Sequence, residues 1–400
     1  MKKSDDVVIV TGVRTPIGRF GGEFKNIRAN ELLSLVMQEV IRRAGVASDI
    51  FDDIIMGDCV QAPDEANTAR TAALKAGLPY QIPAVTIQRQ CSSAMTALVF
   101  GAQQIKAGDS EVVLAGGVES MSNAPYVLNT ARWGQRLTHG EMTDAMWEML
   151  HSGSRVLGKA MIMGETAENL AEKYNISRED QDIVALRSHA NAEAAIKAGK
   201  FKEEIMPVPI PGKKGEIRLV DTDEHVRLGL TMDDLVKLKP AFKKDGTVTA
   251  GNSSGLNDGA AAVIIMRRSK AEELGLKPMA RFVAGAAAGV EPHLMGYGPV
   301  PSTQKALKKA GMTLADIQLI ELNEAFAAQY LACERGLDLN REIVNVNGSG
   351  IGLGHPVGCT GVRIVISLLY EMRRRNLNVG LATLCVGGGM GMTTVFELEN

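Results

Sequence analysis

Apolar residues along this chain occur in two patterns, as short runs and as longer stretches with a helical period. Short apolar runs bounded by polar or glycine positions are typical of buried strands, and the first part of the chain has four, at residues 7–10, 54–57, 85–87 and 112–115. Helical spacing over residues 31–44, with Asn30 as N-cap, and over residues 69–76 predicts helices between these strands. Strands that alternate with helices predict an α/β fold.

The pattern changes at residues 122–249. This part is polar and irregular, contains both tryptophans, and carries short helical stretches such as residues 165–174. A further helix begins after Ser177, where serine and Asp180 three residues later resemble a capping box. Because the segment keeps a helical period, we interpret it as an inserted lobe and not as a linker.

The order of elements then repeats. Four segments of the later chain occur in the same order as the four early strands, at residues 281–290, 317–321, 344–346 and 381–389. In this alignment the turn at His355 matches the turn at Cys91. Two such halves would form layers with mainly parallel central strands and bring both turns to one shared centre. The boundaries that follow are residues 1–121 with 250–277 for the N-terminal half, 122–249 for the inserted lobe, and 278–400 for the C-terminal half.

Composition excludes several classes of protein. A content of 45% hydrophobic and 22% charged residues is ordinary for a globular chain, and the formal net charge of −2 leaves no basic footprint for nucleic acid. The apolar runs are too short to span a bilayer, and the first one predicts a strand and not a signal peptide. Five widely spaced cysteines without a CxxC pair or a zinc-type grouping predict free thiols in a reducing, cytoplasmic environment and no metal.

Two turns carry groups suited to chemistry. Cys91 stands where a strand becomes a helix, so the helix dipole should favour its thiolate; the alternative is a buried cysteine that acts as a small hydrophobe. The neighbours Ser92 and Ser93 favour a reachable nucleophile. His355 lies in a glycine-rich turn before a helix, where it could exchange protons near neutral pH, or be an incidental residue of a connector.

Two further features could join this pair. Cys385 precedes three glycines whose N–H groups could face a developing oxyanion. Asn323 follows a predicted strand, a usual place for site residues in α/β folds.

Taken together, these residues belong to six motifs by which the chain resembles the thiolase family over essentially its full length. They are Gln-Cys-Ser-Ser at 90–93, Gly-Val-Glu-Ser-Met-Ser at 117–122, Gly-Asn-Ser-Ser-Gly-Leu-Asn-Asp-Gly-Ala at 251–260, Asn-Glu-Ala-Phe-Ala at 323–327, Gly-His-Pro-Val-Gly at 354–358 and Cys-Val-Gly at 385–387. The resemblance implies a duplicated α/β/α/β/α layered fold with an inserted loop domain.

The resemblance also implies a Claisen enzyme that acts on coenzyme A thioesters without a further cofactor. Cys91 would carry the acyl group and His355 would accept its proton, while Cys385 would act as acid and base on the α-carbon. The N–H groups of Cys91 and Gly387 would form one oxyanion hole. His355 and a water held by Asn323 would form the other, because a thioester enolate needs preorganised donors.

Five more residues match family positions that bind substrate. Arg227 and Ser254 match contacts to coenzyme A, Met295 matches the acyl pocket, and Met163 and Phe326 are expected beside the substrate. A surface charge, a loop cap or core packing would explain the same residues without a role in binding.

One departure from the family pattern bears on substrate choice. Short-chain members usually have histidine before the Met-Gly of the inserted lobe, where this chain has Ile162. Two reactions therefore stay open, condensation of two acetyl-CoA to acetoacetyl-CoA and CoA, and degradative thiolysis of longer 3-ketoacyl-CoA. A decarboxylating ketoacyl synthase would pair its cysteine with two histidines, and a non-catalytic acyl-CoA-binding protein would not need the reactive residues.

The inserted lobe also predicts self-association. Leu137, Met142 and Trp147 are apolar residues of a polar segment, and exposed patches of this kind often mark subunit contacts. We expect a homo-oligomer, by family likeness a dimer or a dimer of dimers.

Overall fold

A computed structural model describes residues 3–151, 158, 161–212 and 215–399. Within these residues the strands are β1 Val7–Arg14, β2 Gly18–Arg19, β3 Asp53–Gly57, β4 Ala84–Ile87, β5 Val112–Ser120, β6 Tyr126–Val127, β7 Thr143–Asp144, β8 Val208–Pro211, β9 Ile217–Val220, β10 Asn257–Arg267, β11 Ala280–Gly289, β12 Leu319–Leu322, β13 Val379–Val386 and β14 Met390–Leu398. The helices are α1 Ala29–Ala44, α2 Thr68–Lys75, α3 Ser93–Ala107, α4 Ala145–Leu150, α5 Met163–Lys173, α6 Arg178–Lys197, α7 Met232–Val236, α8 Arg268–Glu273, α9 Pro299–Ala310, α10 Ala327–Leu337, α11 Gly350–Leu353 and α12 Val357–Arg375.

Nine of these strands form one continuous sheet in the order β12-β13-β14-β11-β1-β10-β5-β3-β4, and β2 adds to β10. The two halves of the chain meet where β1 pairs with β11, with Val8 opposite Arg281. Outward from this joint the order is the same on both sides, because β10, β5 and β3 correspond to β14, β13 and β12. The predicted repetition of elements is therefore confirmed.

The expected strand directions are wrong for the middle of the sheet. Among the described strands, only β3 with β4, β3 with β5, and β12 with β13 pair in parallel, and these pairs lie towards the ends of the sheet. β13 turns back into β14 through Gly388 and Gly389, both at positive φ, so these strands form an antiparallel hairpin.

Residues 344–346 do not form the predicted strand. Val344 makes one isolated bridge to Ile320. Asn345 then takes a positive φ of 50°, and its side chain bonds both the N–H and the C=O of Leu322. An amide side chain thus replaces the backbone ladder at this point.

Two helix starts show how capping works here. Asn30 is not the N-cap of α1, because the helix begins two residues before the predicted start and Glu31 accepts from the Arg28 N–H at 3.1 Å. The predicted capping box of α6 is confirmed: the Asp180 N–H donates to Ser177 Oγ at 3.0 Å, and the Ser177 N–H donates to Asp180 Oδ2 at 3.4 Å.

Three apolar clusters define five layers. In one cluster, α3 and α12 pack together against strands of both halves, so they form the central layer. A second cluster covers the other face of the first half with α1 and α2. A third covers the other face of the second half with α9 and α10. The expected α/β/α/β/α layering is confirmed, and α12 is buried on all sides from Val357 to Met372.

The central helices approach each other through glycines. A Cβ on Gly361 of α12 would lie 2.5 Å from the Met95 backbone N of α3. A Cβ on Gly117 of β5 would lie 2.3 Å from the Gly358 carbonyl oxygen. Backbone atoms cannot move aside as side chains can, so only glycine allows this packing.

Replacing Gly361 with alanine should therefore destabilise the fold. We expect Gly361→Ala to lower the free energy of unfolding by about 1–3 kcal/mol, the usual cost of overpacking a core, as measured by urea denaturation. Gly289→Ala is the control, because the nearest atom to its Cβ would be 3.9 Å away. Equal stability of the two variants would contradict the proposed contact.

Candidate active site

A cleft with about 690 Å³ of empty space opens at the ends of the central helices. Among the predicted site residues, those that line it are Cys91, Met163, Ser254, Met295, Phe326, His355 and Gly387. Cys385 and Asn323 are fully buried and do not line the cleft, and Arg227 lies exposed on the surface. The cleft therefore joins residues from both halves and from the inserted lobe.

Cys91 occupies a strained turn before α3. The preceding residue Gln90 has a φ of 46°, a left-handed conformation uncommon for a residue with a side chain. The turn is held by Ser93, whose Oγ accepts from the Arg89 N–H at 2.9 Å and donates to the Gln90 carbonyl at 2.7 Å. The result is a half-buried thiol that faces the cleft.

Burial governs the protonation of Cys91. It raises the pKa of the thiol to about 11, although the N–H groups of Gly387 and of Cys91 itself both point at the sulfur and act in the opposite direction. The expectation that the helix start favours the thiolate is therefore wrong for the resting site, because desolvation outweighs the nearby donors.

His355 is fixed by two hydrogen bonds, one at its backbone and one at its ring. Its N–H donates to Asn257 Oδ1 at 2.9 Å, and its ring Nδ1 lies 2.7 Å from Thr360 Oγ1. Because the Thr360 hydroxyl donates to the Pro356 carbonyl at 2.8 Å, it accepts from Nδ1–H. This bond leaves the lone pair on Nε2, the atom that can take a proton. Burial and, to a smaller extent, the charge of Arg363 lower the pKa of His355 to about 3, so the ring is neutral at rest.

Asn323 stands beside this ring at the end of β12. Its backbone N–H donates to the Thr383 carbonyl of β13 at 2.9 Å, and its Nδ2 lies 3.5 Å from both ring nitrogens of His355. Gly350 leaves room for the amide, since a Cβ there would lie 2.8 Å from Asn323 Oδ1. That oxygen has no hydrogen-bond partner among the described residues, so it can accept from a substrate group or a water.

Cys385 lies near the end of strand β13, opposite Gly391 of β14. Burial raises the pKa of its thiol well above the usual value, and the nearby Cys91 sulfur raises it further. The two thiols are therefore close enough to interact electrostatically. The Gly387 N–H, two residues after Cys385, points at the Cys91 sulfur.

The expected substrate-binding residues divide into two groups. Met163, Met295 and Phe326 form part of an apolar wall, and Ser254 lies at its rim, with its N–H bonded to the Ala325 carbonyl at 2.9 Å. Arg227 does not reach the cleft; its backbone N–H donates to His189 Nδ1 at 3.2 Å.

Several lining residues were not predicted. The apolar wall also contains Met121, Met149, Leu150, Phe242 and Leu256. Those of the inserted lobe lie in an irregular segment, where no period marks the face that meets a ligand. The orienting roles of Asn257 and Thr360 were also not predicted, although both stand in or beside recognised motifs.

A metal site is not found in the described parts of the chain, where no three His, Cys, Asp or Glu side chains are grouped to hold an ion. Nor do the described helices include one that is long and apolar enough to cross a membrane.

Known protein families match both halves of the chain. The family profile described as "Thiolase, N-terminal domain" matches residues 7–269, and the profile described as "Thiolase, C-terminal domain" matches residues 276–398.

Individual proteins match nearly the whole chain. An acetyl-CoA acetyltransferase from Syntrophomonas wolfei subsp. wolfei is 49% identical over 396 residues, covering 98% of this chain and 99% of that protein. The crystal structure of the Bacillus anthracis acetyl-CoA acetyltransferase is 54% identical with a TM-score of 0.95 and covers 98% of each chain. Human mitochondrial 3-ketoacyl-CoA thiolase in complex with CoA is 42% identical with a TM-score of 0.93, again over 98% of each chain.

Proposed function

The chain belongs to the thiolase family, and from this premise we propose that it is an acetyl-CoA C-acetyltransferase. It joins two acetyl-CoA to acetoacetyl-CoA and CoA, or reverses that reaction. The observation that carries the proposal is a half-buried thiol and a neutral imidazole that line one cleft, with a second, buried thiol close enough to the first to interact with it electrostatically.

In the first half-reaction, Cys91 attacks the thioester carbonyl carbon. Its pKa of about 11 means that it reacts from the thiol form, so its proton moves to His355 Nε2 as the C–S bond forms. The N–H groups of Cys91 and Gly387 already point at the sulfur. They therefore lie beside the tetrahedral carbon that forms on it and can donate to its oxyanion. The C–S bond to coenzyme A then breaks, and the leaving sulfur takes the proton from His355.

In the second half-reaction, Cys385 gives its thiol proton to His355 Nε2 and, as the thiolate, removes an α-proton from a new acetyl-CoA. The enolate oxygen accepts from the protonated Nε2 of His355 and from a water that Asn323 Oδ1 can hold. The enolate carbon attacks the acetyl carbonyl on Cys91, the acyl–sulfur bond breaks, and the Cys91 sulfur takes the proton from His355 Nε2. In cleavage, the raised pKa of Cys385 is useful, because a thiol must protonate the departing enolate.

Substrate binding is assigned to the cleft wall and its rim. Ser254 contacts the pantetheine arm, Met163, Met295 and Phe326 flank the acyl group, and exposed Arg227 meets the nucleotide end of coenzyme A. The apolar wall suits a thioester carbon chain and shields the enolate carbon from bulk water.

Removal of the nucleophile should abolish turnover. We expect Cys91→Ala to lower kcat for acetoacetyl-CoA thiolysis by at least about 10³-fold, because the covalent route is lost. Cys359→Ala is the control, since this buried cysteine of α12 only packs in the core and should keep kcat within about threefold. Unchanged turnover in Cys91→Ala would support a non-catalytic acyl-CoA-binding protein.

A second function, thiolysis of longer 3-ketoacyl-CoA, is favoured by one observation. Ile162 lines the cleft together with Met149, Leu150 and Met163, so this wall offers apolar contacts where short-chain relatives usually have a histidine. Methionine adapts to ligands of different shape, which supports a broader range of chain lengths.

A chain-length profile separates the two functions. We expect acetoacetyl-CoA to have the highest kcat/KM, and Ile162→His to lower kcat/KM for 3-ketooctanoyl-CoA by about 10-fold through lost apolar contacts. A wild-type kcat/KM that is much higher for 3-ketooctanoyl-CoA would assign the enzyme to the degradative class.

The surface supports a homo-oligomer, a dimer or a dimer of dimers. Leu137, Met142 and Trp147 are all exposed, as predicted. In addition, β4 is an edge strand of the main sheet, and its Val85 is 41% exposed. Apolar edge strands of this kind are usually covered.

Light scattering after size exclusion should give the oligomeric mass. We expect at least twice the 42.7 kDa of one chain at low micromolar concentration, and a lower mass when Val85→Lys places a charge on the edge. A stable monomer of the wild-type chain would contradict the proposal.

A cytoplasmic location is supported by the cysteines. All five are free thiols, and the reaction needs Cys91 and Cys385 reduced. Thiols persist in a reducing compartment.

A further inference from the structure

Glu119 is a fully buried carboxylate to which the mechanism above assigns no role. It lies near the end of β5 with no exposed surface. Backbone N–H groups satisfy it: Oε2 accepts from Gly358 at 2.9 Å and from Cys59 at 3.2 Å, and Oε1 accepts from Val60 at 3.2 Å. A buried carboxylate needs such donors, and here they come from the first turn of α12 and from the residues that follow β3.

The Gly358 donor lies close to the base, His355. Gly358 lies in the first turn of α12, three residues after His355. The first N–H groups of a helix have no partner within it, and the dipole favours a negative charge there. A Cβ on Gly358 would lie 2.3 Å from the Val118 carbonyl oxygen, so the start of α12 is in contact with β5. Glu119 therefore fixes the helix start from which His355 projects.

The Cys59 donor contacts the turn that carries the nucleophile, Cys91. Cys59 follows β3, and its sulfur donates to the Gln90 carbonyl at 3.1 Å and lies 3.5 Å from Ser93 Oγ. Gln90 is the residue with positive φ directly before Cys91. The contacts thus run from Glu119 through Cys59 to Gln90, which lies in the strained turn that orients the Cys91 thiol.

We propose that Glu119 is a positioning residue of the thiolase reaction. Its carboxylate fixes the position of the turn that carries the base, His355, relative to the turn that carries the nucleophile, Cys91. The inference rests on the proposed function, because the two turns matter only if Cys91 and His355 react together. Glu119 contacts neither substrate nor reacting atoms; it acts through Cys59 and Gly358.

The burial of Glu119 gives this role a pH dependence. Burial raises the pKa of Glu119 to about 7, and burial together with the charge of Glu119 raises the pKa of Asp58 well above its usual value. Asp58 Oδ2 accepts from Thr68 Oγ1 at 2.6 Å, while Oδ1 has no partner among the described residues. The other titratable groups that interact electrostatically with this pair are Cys59, Glu65, Cys91 and Cys359. The ionised form of Glu119 is the better acceptor, so the contacts weaken as pH falls through 7.

The first test is Glu119→Gln, which keeps the size of the side chain but loses the charge and one acceptor oxygen. We expect kcat to fall about 10- to 100-fold, the effect of a small misalignment of reacting groups, with KM for acetoacetyl-CoA within about twofold. Asp52→Asn is the matched control, because Asp52 accepts from Glu111 and Val112 N–H groups at the opposite end of β5. Its kcat should stay at the wild-type value.

The second test is the pH profile of kcat. Wild-type activity should decline as pH falls through about 7, and Glu119→Gln should lose this decline, because it has no carboxyl group to protonate. Wild-type kcat in a folded Glu119→Gln enzyme, or a decline near pH 7 that Glu119→Gln keeps, would overturn the inference.

If Glu119→Gln does not fold, Glu119→Asp provides the test, since it keeps the charge but shortens the side chain by one methylene. It should show the same loss of kcat at unchanged KM, and a wild-type kcat would overturn the inference. An inactive wild-type enzyme would instead refute the proposed function, so the two failures are distinguishable.

Discussion

Contact between the backbones of α3 and α12 is the constraint on which the rest of the structure depends. Gly361 packs against Met95, and Gly117 of the neighbouring strand packs against Gly358, at distances that no side chain would allow. Because each helix begins at a reactive turn, this contact brings Cys91 and His355 from opposite halves to the same cleft. Duplication of the fold supplies the two turns, and glycine sets their separation.

Burial then determines the charge state of the site. Desolvation raises the pKa values of Cys91 and Cys385 and lowers the pKa of His355, so all three groups are uncharged at rest. Charge therefore develops only when a thioester occupies the cleft and the N–H groups of Cys91 and Gly387 can stabilise it. An apolar site of this kind shields the enolate carbon from bulk water, but its desolvated thiol is less reactive alone.

The positions of the candidate residues in the fold could be predicted from the sequence, because each belongs to a motif at the end of a strand or the start of a helix. Sequence reasoning did not predict the antiparallel middle of the sheet, since apolar patterns report burial and not strand direction. It misjudged the Cys91 thiol for a related reason: the helix start is visible in the sequence, whereas the surrounding desolvation is a property of packing. Asn257 and Thr360 stand in or beside recognised motifs, yet only the coordinates show that they orient His355.

The most direct test of one shared reaction chamber is a crystal structure of the protein trapped with acetyl-CoA. The account predicts an acetyl group on the Cys91 sulfur, with its carbonyl oxygen within hydrogen-bond distance of the Cys91 and Gly387 N–H groups, and with Cys385 and His355 both facing its methyl carbon or the second thioester site. An acetyl group on another residue, or a Cys385 sulfur separated from the acetyl-Cys91 by intervening side chains, would contradict it.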